Sequence, residues 1–480
     1  MSTETDTKDW WVAAAIFAAT FGFFWSYSPL SRAVGLDPAT WDYMSVGLTH
    51  GLIPYRDVFL HKTPGGAFLG SIGATVAPLL GLRPVAGAHL LFLIFGAVAP
   101  ALLFLVLRSR TSVQAAAVAA VFMVAFDEWP AAAGEGVRPK VATVMLGLAA
   151  LLAADKGRFA TAGATSAMAT LCWQPGLAFG VGCFAPLWSR ERRRNATWPG
   201  ALLRLVGGGA GVVGCFLVWL WWYDALGHFF EQAVGFNTSY IDSKARGPLA
   251  TFGRIGFIAR QWNPQEMVLA PAVALAFLGG RAKLPAGFVI ASAGYLGMSF
   301  ISFQAWPDMI LFAPFAGAFL GVGLYQLLES GAGSRAALGL ALTVGIGMAV
   351  VPHNPRMDRD GVTFDEQAAA MAELAGDLTP EDSLVVVSVP EILIHLERRN
   401  GWKWPYMWFG VDQFAAEHTE GGFGGILADL EAKDPKLILV ARRWFGPLRR
   451  HFDNWARHRY DRTIEAVFPH AEIHVYRRKD

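Results

Sequence analysis

The sequence predicts a polytopic α-helical membrane protein with an α/β domain at its C-terminal end. Three observations carry that prediction. Of the 480 residues, 54% are hydrophobic and only 16% are charged, against about 25% charged in a typical soluble domain. The apolar residues are gathered into long runs, and a bilayer core about 30 Å thick takes roughly 20 helical residues to cross. Near His353 the composition turns abruptly polar and charged. Within lipid the backbone must satisfy its own hydrogen bonds, so the apolar runs are expected as helices. They lack the alternation that a membrane barrel needs.

In chain order the apolar segments are 10–27, 64–81, 85–107, 113–127, 140–154, 159–172, 174–188, 200–223, 267–280, 284–303, 308–327 and 336–352. The first follows an acidic, polar start, MSTETDTKDW, with no small-residue cleavage site after it, and so reads as a retained span. Lys and Arg in short loops orient the chain. Arg190, Arg192, Arg193 and Arg194 form the strongest basic cluster; Arg108/Arg110, Lys156/Arg158, Arg281/Lys283 and Arg335 mark the other short basic loops. All five lie in the cytoplasm only if one early segment does not span. The Gly- and Ala-rich segment 64–81, which starts after a Pro-Gly, is the candidate. The expected architecture then has about eleven spans with the N-terminus inside. It comprises a transmembrane module, 1–353, with a first outer loop at 28–84 and further outer loops at 128–139 and 224–266, and a soluble outer domain, 354–480.

In that outer domain SLVVVSV (383–389) and KLILVAR (436–442) are short β-branched runs. EDSLVVVSVPEILIHLERR reads as strand, turn and helix, 446–457 as helix, and AEIHVYRRK as a closing strand. There is no Walker loop and no GxGxxG, so nucleotide binding is not expected; no nucleic-acid partner is expected either. Cys172, Cys183 and Cys215 all lie in apolar segments without a CxxC and read as three buried thiols.

The polar outer loops converge on one side of the membrane, and ionisable residues at the end of a helix bundle are functional candidates. The stretch LDPATWDYMSVGLTHGLIPYRDVFLHKTPG (36–65) supplies Asp37, Asp42, Tyr55, Arg56, Asp57, His61 and Lys62. GEGVRPK supplies Glu135, Arg138 and Lys140; Trp173 and Gln174 sit at an outer hairpin. Glu231, Asn237, Tyr240, Asp242 and Lys244 come from the 224–266 loop, and Trp306 and Asp308 from another outer turn. This mixture suits group transfer from a lipid phosphate. A carboxylate accepts the proton of an attacking hydroxyl, cations stabilise the charge developing on the leaving phosphate, and the spans supply an apolar groove. Blander readings stand beside it. Asp37 caps a helix, and Asp42 is a solvated helix residue. Arg56 and Asp57 form a local ion pair, and His61-Lys62 meets lipid head groups. Glu135, Arg138 and Lys140 pair with one another, and the Trp residues are interfacial anchors.

Gly51-Leu52-Ile53-Pro54-Tyr55-Arg56-Asp57 and His61-Lys62-Thr63-Pro64-Gly65 carry a family resemblance. The chain resembles the GT-C superfamily of membrane glycosyltransferases, and more narrowly the branch of protein O-mannosyltransferases and the lipid A aminoarabinose transferase. That branch has an acidic residue or pair after the first span, then a G-x-x-P-Y-R-D-like turn and a K-P-P-G-like stretch. Here Pro38 stands where a second acid is common, and Thr63 replaces the first Pro of the last element. Trp173-Gln174-Pro175 is similar to a Lys-Gly/Gln-Pro element, with Trp in place of Lys. The tail resembles the outer α/β domain of bacterial members.

The resemblance implies a single inverting displacement, from a polyprenyl-phosphate sugar donor to a hydroxyl on a lipid, glycan or protein acceptor. It implies Asp37 as base with Asp42 as the alternative, and His61, Lys62 and Arg138 at the donor phosphate. Tyr55, Arg56, Glu135, Trp173, Gln174, Tyr240 and Asp308 fall in the substrate region. No obligatory metal is expected, a divalent cation being a family option. The site and the tail are expected on the periplasmic side of a bacterial inner membrane. The rival classes are a lipid-linked sugar flippase or transporter, which calls for charged or broken mid-membrane helices in paired halves, and a cell-envelope assembly scaffold working through 355–480.

Overall fold

The computed structural model describes residues 7–126, 128–188, 197–243, 252–253, 284–301, 306–329, 361–376, 378–407, 410–441 and 446–479. Its helices in chain order are α1 (Thr7–Trp25), α2 (Leu36–Thr49), α3 (Gly65–Val76), α4 (Pro84–Arg108), α5 (Val113–Ala125), α6 (Glu128–Gly134), α7 (Pro139–Asp155), α8 (Phe159–Cys172), α9 (Leu177–Gly182), α10 (Trp198–Trp222), α11 (Phe236–Ser243), α12 (Ala286–Ile301) and α13 (Trp306–Glu329). A π-helical turn, Phe230–Gly235, leads into α11. The tail adds α14 (Phe364–Ala375), β1 (Leu384–Val387), α15 (Pro390–His395), α16 (Val411–Glu417), α17 (Gly422–Ala432), β2 (Leu437–Ala441), α18 (Leu448–Arg457), β3 (Tyr460–Val467) and β4 (His470–Arg478).

Among the described residues, α4 and α10 are long and apolar enough to cross a membrane, and α5 with α6, bent by 68° at their junction, pass the same test together. Shorter apolar helices occur at Gly65–Leu80, Ala286–Phe300 and Asp308–Gly323. Exposed Trp residues mark both ends of two helices: Trp10, Trp11 and Trp25 on α1, and Trp198, Trp221 and Trp222 on α10. That is the distribution of interfacial anchors. The apolar segment 174–188 departs from a single helix. It is a 3₁₀ turn (Gln174–Gly176), α9 and a second 3₁₀ turn (Ala185–Trp188), because Pro175 and Pro186 each remove a backbone donor and the glycines weaken the helix between them. The expected segments 267–280 and 336–352, and the basic loops at 190–194, 281–283 and 335, lie outside the described residues.

Contacts divide the chain into two compact units. The helical unit comprises Met1–Pro29, Leu90–Val218 and Ala245–Arg359. One tight seam is α5 on α13, where Gly317 and Gly321, one turn apart, lie against Ala119 and Met123; a Cβ added at Gly321 would collide with the Ala119 backbone. Small residues at such a seam let two backbones approach closely where lipid gives no hydrophobic drive. Cys172 and Cys183 are buried as expected, but Cys215 is exposed. It sits on α10, which also turns Leu203, Val206, Val213 and Val218 outward.

The mixed unit comprises Leu30–His89, Trp219–Lys244 and Asp360–Asp480. Its four-stranded sheet has the order β1-β2-β4-β3, with β1 parallel to β2 and the other pairs antiparallel. β1 and β2 are buried along their whole length, as strands covered on both faces are. On α18, Leu448, Phe452 and Ala456 are buried, a four-residue repeat that lays one stripe on the core. That core is not built by the tail alone. Phe59 from the first outer loop and Phe236 from α11 lie in it beside Tyr406, Met407, Phe414 and Phe452. Backbone bonds join loop and tail: Phe59 N–H donates to the Lys403 carbonyl at 2.8 Å, Ala33 N–H to Val362 at 3.1 Å and Phe364 N–H to Ser31 at 2.8 Å.

Candidate active site

In the mixed unit the candidate acids stand on α2. Asp37 lies in its first turn and is exposed, where the partial positive charge of a helix N-terminus favours a carboxylate. Asp42 is five residues further on, about 140° around the helix. It is fully buried, with Oδ2 3.0 Å from His89 Nε2. The reading of Asp42 as a solvated residue is therefore corrected: its face of α2 is covered.

The PYRD turn closes on itself. Asp57 accepts from Ile53 N–H at 2.9 Å and pairs with Arg56 at 2.7 Å, while Arg56 also donates to the Tyr223 carbonyl at 3.2 Å. The Arg56 guanidinium and the Ile53 amide hold Asp57 below the usual carboxylate range against the opposing effect of its burial. Tyr55 takes a left-handed φ of 70° and is fully buried. Its hydroxyl donates to the Lys62 carbonyl at 2.7 Å, and burial pushes its pKa well above the ordinary value, so the donor stays protonated. Burial, reinforced by the Lys62 charge, holds His61 well below the ordinary imidazole range. His61 Nδ1 lies 3.1 Å from the Tyr406 hydroxyl. Burial raises the Tyr406 pKa too, so that hydroxyl stays protonated and can donate to Nδ1, which would leave the ring proton on Nε2. His61 is thus a neutral N–H donor rather than a cation, and Lys62 carries the formal charge of this stretch.

In the helical unit the second set of candidates is buried and paired. Arg138, just before Pro139 at the first position of α7, grips Glu135 Oε2 with both Nε (2.9 Å) and Nη2. Lys140 pairs with Asp308 at 3.1 Å, and its ammonium lies 4.0 Å from the centre of the Trp173 ring. Asp308 is 2% exposed in the first turn of α13, and its carbonyl accepts from the Tyr295 hydroxyl at 2.7 Å. Gln174 opens the 3₁₀ turn directly after Trp173. Tyr240 belongs to α11, and its side chain lies outside the described residues.

No family model matches the sequence, and no curated protein matches it. Solved structures do match in fold. ArnT from Cupriavidus metallidurans in the apo state superposes with a TM-score of 0.62 at 13% identity over 98% of both chains. The same protein bound to undecaprenyl phosphate gives 0.62 at 14%, again over 98% of both. The archaeal oligosaccharyltransferase AglB from Archaeoglobus fulgidus, in complex with an inhibitory peptide and a dolichol-phosphate, gives 0.53 at 12% over 90% of this chain and 70% of its own. The chain has the GT-C fold.

Within this GT-C fold several residues that organise the candidate site escaped the sequence. Gln232 holds both Tyr55 and Leu60, Tyr406 faces His61, and Tyr295 steadies Asp308. Each is an ordinary residue in an ordinary context, and its significance comes only from a partner in another element of the fold. Lys140 was visible as a loop charge, but its partners Asp308 and Trp173 were not. Among the described residues, no three His, Cys, Asp or Glu side chains gather as a ligand set for a metal ion.

Proposed function

We propose that this chain is an inverting glycosyltransferase, moving a sugar from a polyprenyl-phosphate donor to an acceptor hydroxyl at the outer face of a bacterial cytoplasmic membrane. The observation that carries the reading is the match of fold over 98% of both chains to ArnT, which also has a structure with undecaprenyl phosphate bound. In this reading 1–353 is the membrane-crossing module with about eleven spans, and 354–480 is a periplasmic domain.

Asp37 is the base. An exposed carboxylate at a helix start is accessible to an acceptor hydroxyl, whereas Asp42 is closed against His89. Lys62 supplies positive charge to the donor phosphate, and neutral His61 contributes a hydrogen bond from its ring. Tyr55, Arg56 and Asp57 keep Lys62 in place. Glu135 orients Arg138, and Asp308 with Trp173 orients Lys140. Gln174 belongs to the sugar and acceptor surface. The purified full-length protein in nanodiscs, given an undecaprenyl-phosphate sugar and a lipid acceptor, should transfer the sugar with inversion at the anomeric carbon. The same assay run with EDTA and with added Mg²⁺ decides metal dependence. Transport of the lipid-linked sugar across the bilayer without any transfer would sink the reading in favour of a flippase.

A further inference from the structure

The backbone leading to Lys62 is gripped by side chains from a distant part of the chain. Gln232, only 2% exposed, accepts from Leu60 N–H at 3.0 Å and donates to the Tyr55 carbonyl at 2.7 Å. Asn237 donates to the His61 carbonyl at 2.5 Å and to Ala233 at 2.7 Å. Phe229 and Phe236 add edge-on ring contacts to Tyr55 and Phe59, at 5.2 and 5.6 Å between centroids.

Gln232 and Asn237 are five residues apart. At 3.6 residues per turn they would stand about 140° apart and could not both face one strand. Here the helix passes through the π-turn Phe230–Gly235, and Phe236 N–H donates to the Glu231 carbonyl, an i→i+5 bond. A π-turn holds an extra residue, so side chains five apart come round to one side. Such turns recur at functional sites.

We propose that Gln232 and Asn237 are positioning residues that hold the Leu60–Lys62 backbone ready for a lipid phosphate, and that the π-turn is what sets both amides on one face. This rests on the reading of Lys62 as a phosphate ligand. Two primary amides, Gln232 buried and Asn237 half-buried, can satisfy the donors and acceptors of an irregular segment without adding charge beside the anion. A backbone fixed before the ligand arrives loses less entropy on binding.

The test uses the full-length protein in detergent with undecaprenyl phosphate as probe. It reads amide hydrogen exchange over Tyr55–Lys62, lipid affinity and melting temperature for Gln232→Leu, Gln232→Glu, Asn237→Asp and a deletion of Val234, which is 49% exposed in the π-turn. Gln232→Leu and the deletion should each speed exchange at Leu60 and weaken the lipid about tenfold. Gln232→Glu, which keeps the acceptor for Leu60 N–H, should fall between them and wild type. Unchanged exchange in Gln232→Leu overturns the positioning role, and an intact Leu60 amide in the deletion overturns the role of the π-turn. Faster exchange with unchanged affinity overturns the link to phosphate. If wild type binds no undecaprenyl phosphate, the glycosyltransferase reading fails, and the exchange data alone still decide whether the clamp exists.

Discussion

The two sets of charged residues are built on opposite plans. In the mixed unit Asp37 stands exposed at the start of α2 and Lys62 ends an irregular segment whose own polar groups are spoken for, Tyr55 by Lys62 and Asp57 by Ile53 and Arg56. In the helical unit Arg138 with Glu135 and Lys140 with Asp308 are buried ion pairs. An exposed carboxylate can exchange a proton with a substrate. A buried ion pair holds geometry, because separating it leaves an unpaired charge at high cost. In the proposed reading the exposed Asp37 reacts, whereas the buried pairs hold geometry.

The largest effect should come from Asp37. Asp37→Asn is expected to lower the turnover rate by roughly 10²–10⁴-fold, the usual contribution of a general base, with an unchanged melting temperature. A fully active Asp37→Asn enzyme would break the contrast, above all if Asp42→Asn were dead yet as stable as wild type. Next comes Lys140→Met, which takes the Lys140 charge away from the buried Asp308 and should destabilise the protein by about 3 kcal/mol. Lys140→Met combined with Asp308→Leu should recover much of that loss in a thermal melt. If the double variant is no more stable than the single one, the pair is not acting as a unit.

A pH series sharpens the contrast further. His61 is held neutral in the fold, below its ordinary value near 6.5. The unfolded chain therefore binds the proton first, and the stability that His61 contributes is present above that pH and is lost as the pH falls below it. As the pH falls from 7.5 to 5, hydrogen exchange relative to the intrinsic rate at each pH should rise over Tyr55–Lys62 and stay flat over Glu135–Lys140, whose pairs contain no imidazole. Equal responses in both segments would contradict the assignment. The smallest effect is expected for Arg56→Ala. Its pair with Asp57 is largely solvated, at 39% and 29% side-chain exposure, so equilibrium denaturation should move by less than about 1 kcal/mol.

Much of this fold was legible in the sequence. The apolar runs 85–107, 113–127, 140–154 and 159–172 became α4, α5, α7 and α8 with ends shifted by at most two residues, and the β-branched runs at 383–389 and 436–442 became β1 and β2. β3 was not legible. Asp461 to Ala466 are exposed on both faces, so no alternation marks the strand, and it exists through its pairing with β4. The helix in the 224–266 loop was equally hidden, since Gln232, Ala233 and Phe236 are buried by residues near 55–61 and 400–414 rather than by a repeating stripe of their own.

By itself the sequence determined where apolar helices begin and end, where the chain turns polar, and which loop holds the acids, the PYRD turn and the His61-Lys62 pair. These follow from local hydrophobicity and turn chemistry, which act over a few residues. Only the tertiary structure decided that Asp42 is closed against His89, that Lys140 belongs to Asp308, that His61 is neutral, and that Phe59 is part of the tail's core. Burial and charge pairing depend on which distant groups arrive within a few ångströms, and no window of sequence contains that distance.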